Sequence, residues 1–260
     1  MISRVVRRFV GATASAGSAV VLVSCASGGY SGPPSWTAQS PSGVFVAGAP
    51  APGSVQRSTV QSPTWTLTTS TPGDPNVDPN TWPDADTALS SRQLKSLFPD
   101  AADIGAASCI KLTLPSGAKT AKNTRCDWSV TFGKNTSQVA ALTVILRGFG
   151  ADSAMTRAWS TRQAQQVTGR FSGDTFYAPG TYGAKGVYFL SNGQASLLIS
   201  NGSVAGWLDV EFANFDGALG KSTDDAAKIV RAQIFPIVVE DLVGHLPRTG
   251  VGTPLTATGS

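Results

Sequence analysis

The chain has 260 residues, 41% of them hydrophobic, which is enough to bury the core of a globular domain. It carries 20 Lys and Arg residues against 16 Asp and Glu residues, a formal net charge of +4. Three of the arginines, Arg4, Arg7 and Arg8, lie in a segment with signal-peptide features, so the rest of the chain is almost neutral. This composition excludes the concentrated basic surface on which nucleic-acid binding depends, and we expect no nucleic-acid partner.

Residues 1–24 have the features of a bacterial lipoprotein signal peptide. The N-terminal arginines precede an uncharged apolar stretch, residues 9–23, which is shorter than the ~20 residues of a membrane span but typical of a signal peptide. This region ends in the sequence Leu-Val-Ser-Cys at residues 22–25, a lipobox pattern. We therefore predict that Cys25 becomes linked to diacylglycerol and that the residues before it are removed.

The predicted lipid on Cys25 places the protein at the cell membrane, facing outwards. A single acyl chain binds a membrane only marginally, whereas diacylglycerol with further acylation, such as palmitate, gives stable anchoring. Two other interpretations are open: an ordinary signal peptide cleaved after a small residue, and a retained membrane anchor. Only the lipoprotein interpretation gives Cys25 a role.

Residues 25–85 have the composition of a disordered tether behind the lipidated N-terminus. Gly, Pro, Ser, Thr and Ala dominate this segment, and Arg57 is its one basic residue. Such a composition cannot bury enough apolar surface to offset the entropy lost on ordering. If extended, a segment of this length would hold a following domain on the order of 100 Å from the membrane.

The first regular elements are predicted after this tether. Ser90 and Gln93 have the spacing of a capping box and predict the start of a short helix, which Pro99 ends. Alternation of apolar and polar residues then predicts three strands between residues 109 and 146.

The second half of the chain predicts a helix at residues 152–167, a hairpin at 187–199, a strand at 207–212 and an amphipathic helix at 223–246. Trp159 and Arg162 share one face of the first of these helices. Asn192-Gly193 predicts a type I′ turn in the hairpin. Pro236 has no backbone N–H to donate, which predicts a kink in the last helix.

These elements predict one α+β domain at residues 86–248. Adjacent strands joined by short turns indicate an antiparallel sheet, and we expect the helices to be packed on one face of it. Residues 249–260 predict a flexible tail.

Cys109 and Cys126 are the cysteines left once Cys25 carries lipid. In an oxidising compartment, two such cysteines most simply pair. Metal ligation and redox chemistry are the alternatives, but the chain has no Cys-x-x-Cys motif and only one histidine, His245. We therefore predict a structural disulfide, with no metal site and no cofactor.

No residue pattern predicts a catalytic site. The chain has no Gly-x-Ser-x-Gly motif, and its two Ser-x-x-Lys matches lack the companion motifs of penicillin-binding enzymes. His245 lies near the end of the last predicted helix, where a positive charge is favourable. A concave apolar pocket without converging titratable groups would favour binding. A cleft in which Asp174, Asp209 or Glu211 met a Ser or Lys side chain would favour catalysis.

Aromatic residues crowd into one Gly-rich stretch and form a candidate ligand pocket: Phe171, Phe176, Tyr177, Tyr182 and Tyr188. Core packing is the simplest explanation for such a stretch. An aromatic-lined pocket for an apolar or sugar ligand is the alternative.

Basic residues are concentrated in the middle of the chain. Residues 111–185 carry ten Lys and Arg residues and three acidic residues. A solvated surface explains this excess, and contact with an anionic envelope polymer or with phospholipid headgroups is the alternative.

The chain resembles a family of small envelope lipoproteins of actinobacteria, of the mycobacterial type and of uncharacterised function. The resemblance rests on the lipobox, the tether, the early Leu-rich helix, the sequence Cys126-Asp127-Trp128 and the last helix ending at Leu246-Pro247, and it covers residues 86–248. It implies a membrane-anchored, non-enzymatic domain that binds or senses a ligand or an envelope partner, whether protein, glycan or lipid. A cell-envelope hydrolase with an unrecognised active site is the alternative.

Overall fold

The computed structural model describes residues 61–68, 77–112, 122–133, 139–169, 171, 173–216, 218–219 and 222–247. The predicted signal peptide, the lipidation site Cys25, much of the predicted tether and the predicted tail lie outside the described residues. The described part of the chain forms one antiparallel sheet with helices on both of its faces.

Eight strands are present within the described residues: β1 (Ala101–Ile104), β2 (Ser108–Ile110), β3 (Arg125–Phe132), β4 (Ala140–Ala151), β5 (Thr175–Phe176), β6 (Gly186–Phe189), β7 (Gln194–Ser200) and β8 (Val204–Ala213). Their order across the sheet is β1-β3-β4-β8-β7-β6-β5, and β2 also pairs with β3. All pairings are antiparallel. The predicted strands were found, whereas the short strands β1 and β5 had not been predicted.

Four α-helices lie in the described residues: α1 (Ser91–Leu97), α2 (Asp152–Thr168), α3 (Thr223–Ile229) and α4 (Phe235–Val243). The predicted capping box of α1 is confirmed, since the Ser90 hydroxyl accepts from the Gln93 amide and the Gln93 side chain accepts from the Ser90 amide. None of the described helices combines the length and apolar composition that a membrane span requires.

The predicted interruption of the last helix occurs where Pro236 lies. A π-helical turn at Val230–Ile234 separates α3 from α4, and Pro236 occupies the first turn of α4. The helical backbone is continuous across this turn, since the Phe235 amide donates to the Val230 carbonyl oxygen, and Pro236 therefore removes one backbone hydrogen bond from within it. The wider turn therefore accommodates the missing backbone donor.

The hairpin between β6 and β7 was predicted at the right place with the wrong turn. The Leu190 amide donates to the Gln194 carbonyl oxygen at 2.6 Å, and this pair closes a loop of three residues, Ser191 to Gly193. Gly193 has a φ of +85°, whereas Asn192 does not have the positive φ that a type I′ turn requires. A three-residue loop with glycine in the left-handed region suits the same sequence.

The predicted α+β class with an antiparallel sheet is confirmed, and the helices divide between the two faces. Strand alternation turns Val187 and Leu197 towards the first face, under α4, and Tyr188 and Leu198 towards the second face. Trp159 of α2 packs on the second face. One helix therefore lies opposite the others, because α2 follows β4 directly and folds back over β8 and β7.

The folded unit begins before residue 86, which corrects the predicted end of the tether. Trp65, Val77 and Trp82 are buried in the core. The Val77 amide donates to the carbonyl oxygen of Phe149 on β4 at 3.2 Å. Composition alone did not reveal this packing, because a few large apolar residues within a Pro-rich segment are enough to attach it to a core formed elsewhere.

The predicted disulfide is confirmed. Cys109 on β2 lies directly opposite Cys126 on β3, with their Cα atoms 4.2 Å apart. The bridge therefore links two neighbouring strands across a 17-residue separation in sequence.

Candidate functional site

The five aromatic residues of the candidate pocket do not line a common cavity. Tyr177 and Tyr182 pack with Phe235 on the first face of the sheet, whereas Phe176 and Tyr188 pack on the second face. The side chain of the fifth, Phe171, is exposed. The structure therefore favours core packing as the role of the buried four.

Burial determines the ionisation of the two tyrosines under α4. It raises the pKa of Tyr177 to about 12, and it raises the pKa of Tyr182 further above its ordinary value. Both hydroxyls consequently stay protonated at neutral pH, so neither tyrosine is suited to act as a base there.

A different site, which we call the crevice, opens on the second face beside α2. Its volume is about 150 Å³. The lining is almost entirely polar and consists of Arg147, Arg162, Gln166, Gln194, Ser196, Asp209 and Glu211, together with Tyr188, Leu190 and Ala195. The crevice therefore collects side chains from β4, α2, β7 and β8.

Strand alternation and register bring the crevice together. In β8, Leu208 and Val210 face the core, so Asp209 and Glu211 face the opposite way. Asp209 pairs with Ser196 on β7, and Glu211 pairs with Gln194. The acidic groups of one strand thus lie beside hydroxyl and amide groups of the next.

A hydrogen-bonded network forms the floor of the crevice. The Trp207 indole N–H donates to the Ser196 hydroxyl at 2.7 Å and lies 3.2 Å from Asp209 Oδ1. Arg147 Nε donates to Asp209 Oδ2 at 2.6 Å. The Asp209 carboxylate is thereby held in one orientation by two donors.

The same surface extends across β3 and β4. Arg125 Nη2 donates to Asp127 Oδ1 at 2.9 Å, and the Thr143 hydroxyl donates to the same oxygen at 2.5 Å. Burial alone would raise the pKa of Asp127, but the hydrogen bonds from Arg125 and Thr143 lower it below its ordinary value. Asp127 is therefore a fixed carboxylate at neutral pH.

The crevice brings Asp209 and Glu211 together with Ser196, the arrangement expected of a catalytic cleft, but it lacks the other parts of a nucleophilic site. Ser196 is almost fully buried and accepts from Trp207, and no histidine lies beside it, since the one histidine of the chain is His245. His245 is buried elsewhere, with Nδ1 2.6 Å from the Pro63 carbonyl oxygen and Nε2 2.9 Å from that of Ala88. These contacts hold the segment at residues 61–68, whereas the sequence had predicted that His245 places a positive charge near the C-terminal end of the last helix.

Among the described residues, no three His, Cys, Asp or Glu side chains lie close enough together to hold a metal ion.

A second cavity of about 220 Å³ lies at the end of the sheet, between the β6–β7 turn and α3. Phe189, Phe212 and Phe215 form its apolar wall, and Asn192 and Asp216 lie at its polar side. It has fewer charged and hydrogen-bonding groups than the crevice.

Arg147 and Arg162 were not singled out as site residues from the sequence. Two sequence patterns gave partial information about this site. Alternation in β8 predicted that Asp209 and Glu211 share one face of the strand, and helical spacing predicted that Arg162 shares a face with Trp159. Asp209 lies opposite Ile145 in the register of β4 and β8, and Arg147 lies at a shift of that register between Leu146 and Gly148. No local signal in the sequence indicates this register or its shift. Comparisons with models of known families, with characterised proteins and with solved structures found no match.

Proposed function

We propose that the protein is a lipid-anchored, extracytoplasmic binding protein that recognises an envelope component through the crevice and catalyses no reaction. The lipobox ending at Cys25 supports the anchor and the compartment. The Cys109–Cys126 disulfide supports an oxidising environment, since such bridges persist outside the cytosol.

The observation that carries binding over catalysis is the internal pairing of the crevice. Asp209 is held by Arg147 and by the Trp207 indole, so its charge is matched before any ligand arrives. A general acid or base must instead exchange a proton with the substrate at some step. Fixed donors and acceptors around a small cavity suit recognition, in which a few placed polar groups orient a ligand.

A cell-envelope hydrolase is the second candidate, because Asp209 and Glu211 both line the crevice together with Ser196. Side chains two positions apart on a strand are separated by about 6.7 Å along it. That spacing falls near the lower limit of roughly 6.5–9.5 Å between the carboxyl groups of inverting glycosidases. The pairing of Asp209 with Arg147 at 2.6 Å is the argument against it.

Sedimentation with insoluble cell-wall polymer tests the proposal. The full chain, purified in detergent, is mixed with the polymer and pelleted, and the supernatant is examined for released fragments by mass spectrometry. We expect binding without release. Glu211→Gln and Arg162→Ala should each weaken binding about tenfold, the loss for one hydrogen bond to a charged group.

Arg157→Ala is the matched control, because Arg157 lies on the same helix, is exposed and does not line the crevice. Binding that is unaffected by Glu211→Gln and Arg162→Ala would overturn the assignment of the site. Release of fragments that depends on Glu211 would establish the hydrolase instead.

A further inference from the structure

We infer that the crevice binds a neutral carbohydrate, one ring of an envelope polysaccharide at a time. This inference rests on the proposed function and specifies the class of its ligand. It depends on the hydrogen-bonding character, the charge balance and the position of the crevice.

The polar lining matches the hydrogen-bonding character of sugar hydroxyls. Each hydroxyl is both a donor and an acceptor. The carboxylates of Asp209 and Glu211 accept, the guanidinium groups of Arg147 and Arg162 donate, and the amides of Gln166 and Gln194 do both. An apolar ligand would leave these groups without partners, which is unfavourable for buried polar atoms.

The charge balance of the crevice favours a neutral ligand over an ionic one. Two arginines face two carboxylates, so the site has no net charge of its own. Arg147 is already bonded to Asp209 at 2.6 Å, and an anionic or zwitterionic ligand would have to compete with that pair. The hydroxyl groups of a neutral sugar can form hydrogen bonds with the remaining carboxylate lone pairs and guanidinium N–H groups while the Arg147–Asp209 ion pair stays intact.

A row of polar residues continues from the crevice across neighbouring strands, in the direction that a longer ligand would follow. Asp127 pairs with Thr143, Thr143 with Glu211 and Glu211 with Gln194, so a polar row crosses four strands. Thr143 is buried and donates to Asp127, so the accessible members of the row are Asp127, Glu211 and Gln194. At the usual spacing of neighbouring strands this row is about 14 Å long. The crevice itself, about 150 Å³, is smaller than the roughly 300–1,000 Å³ of sites for drug-sized ligands, so it accommodates one unit of a longer chain.

The experiment is a binding titration of the full chain against defined probes. The first set is neutral oligosaccharides, including those released from the same wall polymer by mild acid and desalted. The second set contains uronic-acid disaccharides and zwitterionic dipeptides. We expect calorimetric binding of the first set alone, weakened about tenfold by Glu211→Gln and by Arg162→Ala, and unchanged by Arg157→Ala.

Each outcome separates this inference from the proposed function. Failure of every neutral oligosaccharide to bind would overturn the carbohydrate assignment. If the charged probes bind instead and crevice variants weaken them, the ligand class is wrong while the binding function stands. If crevice variants leave sedimentation with the wall polymer unchanged, both proposals fail. Unaltered thermal unfolding of the variants excludes misfolding as the cause of any loss.

Discussion

The indole ring of Trp65 lies parallel to the imidazole ring of His245, with ring centroids 4.0 Å apart and an interplanar angle of 9°. The Trp65 amide also donates to the His245 carbonyl oxygen at 2.9 Å, and the Ser62 hydroxyl donates to the Asp241 carbonyl oxygen at 2.6 Å. The segment at residues 61–68 is thus bound to the C-terminal end of α4. These contacts fix the start of the described chain, residues 61–68, on the domain.

Removal of the Trp65 ring should destabilise the whole domain and not only its N-terminal segment. Trp65 packs against both His245 and Phe149, a residue of the central strand β4. We expect Trp65→Ala to lower the free energy of unfolding by about 3 kcal/mol. Urea unfolding followed by circular dichroism measures the change. Thr66→Ala, at an exposed neighbour, should change it by less than about 0.5 kcal/mol, and equal effects of the two variants would contradict the packing.

Stability should fall as the pH is lowered through the ordinary pKa of histidine. Burial lowers the pKa of His245 below its usual 6.5, although the carbonyl oxygens of Ala88 and Pro63 oppose the shift. Below pH 6.5 the unfolded chain therefore binds a proton at this residue more readily than the folded chain, and acidification favours unfolding. The stability that His245 contributes is complete above that pH. Unfolding midpoints in urea measured between about pH 5 and 8 test this dependence.

His245→Gln is the control for the pH dependence, because glutamine retains an N–H donor and does not titrate. The variant should be less stable at neutral pH and should show a flatter pH profile than the natural chain. A natural chain that became more stable on acidification over this range would show that the two carbonyl oxygens outweigh burial.

Loss of the disulfide should destabilise the domain through the unfolded state. The bridge closes a 17-residue separation between Cys109 and Cys126. The chain-entropy model gives about 3 kcal/mol for a loop of this size. We expect that loss for the Cys109→Ser, Cys126→Ser double variant, measured by denaturant unfolding. The natural chain unfolded with a reducing agent should match it, and an unchanged midpoint would contradict the prediction.

Gly186 permits the close approach of α2 to the second face of the sheet. A Cβ atom at this position would lie 2.5 Å from ring atoms of Trp159. Gly186→Ala should therefore displace the ring and lower the free energy of unfolding by about 1–3 kcal/mol, the usual effect of overpacking. At Gly169 the nearest contact of a new Cβ is 3.6 Å, so Gly169→Ala is the matched control in the same thermal-unfolding series.

Local patterns were sufficient wherever a structure depends on neighbours in sequence. The capping box of α1 needs only Ser90 and Gln93, and the strand alternation of β8 needs only the residues of β8. The hairpin turn shows the limit of such patterns: the position of Asn192-Gly193 was predicted, but its backbone geometry was not, because one extra residue in the loop changes the turn that fits.

The crevice could not be predicted from local patterns. The crevice residues Arg147, Arg162, Ser196 and Asp209 come from four different elements. The registers of β8 against β4 and against β7 decide whether they meet. Register depends on contacts between residues that are far apart in sequence, and no short-range pattern records it.

From the sequence alone, the pairing of Cys109 with Cys126 and the α+β character were predicted, and the structure confirms both. The lipidation of Cys25 stays a prediction, because this residue lies outside the described part of the chain. Only the tertiary structure decided that α2 covers the second face, that Trp65 belongs to the core and that a polar crevice forms beside Trp207. The physical reason is that burial and hydrogen bonding between distant segments depend on their relative placement. That placement is settled only when the whole sheet and its two faces pack together.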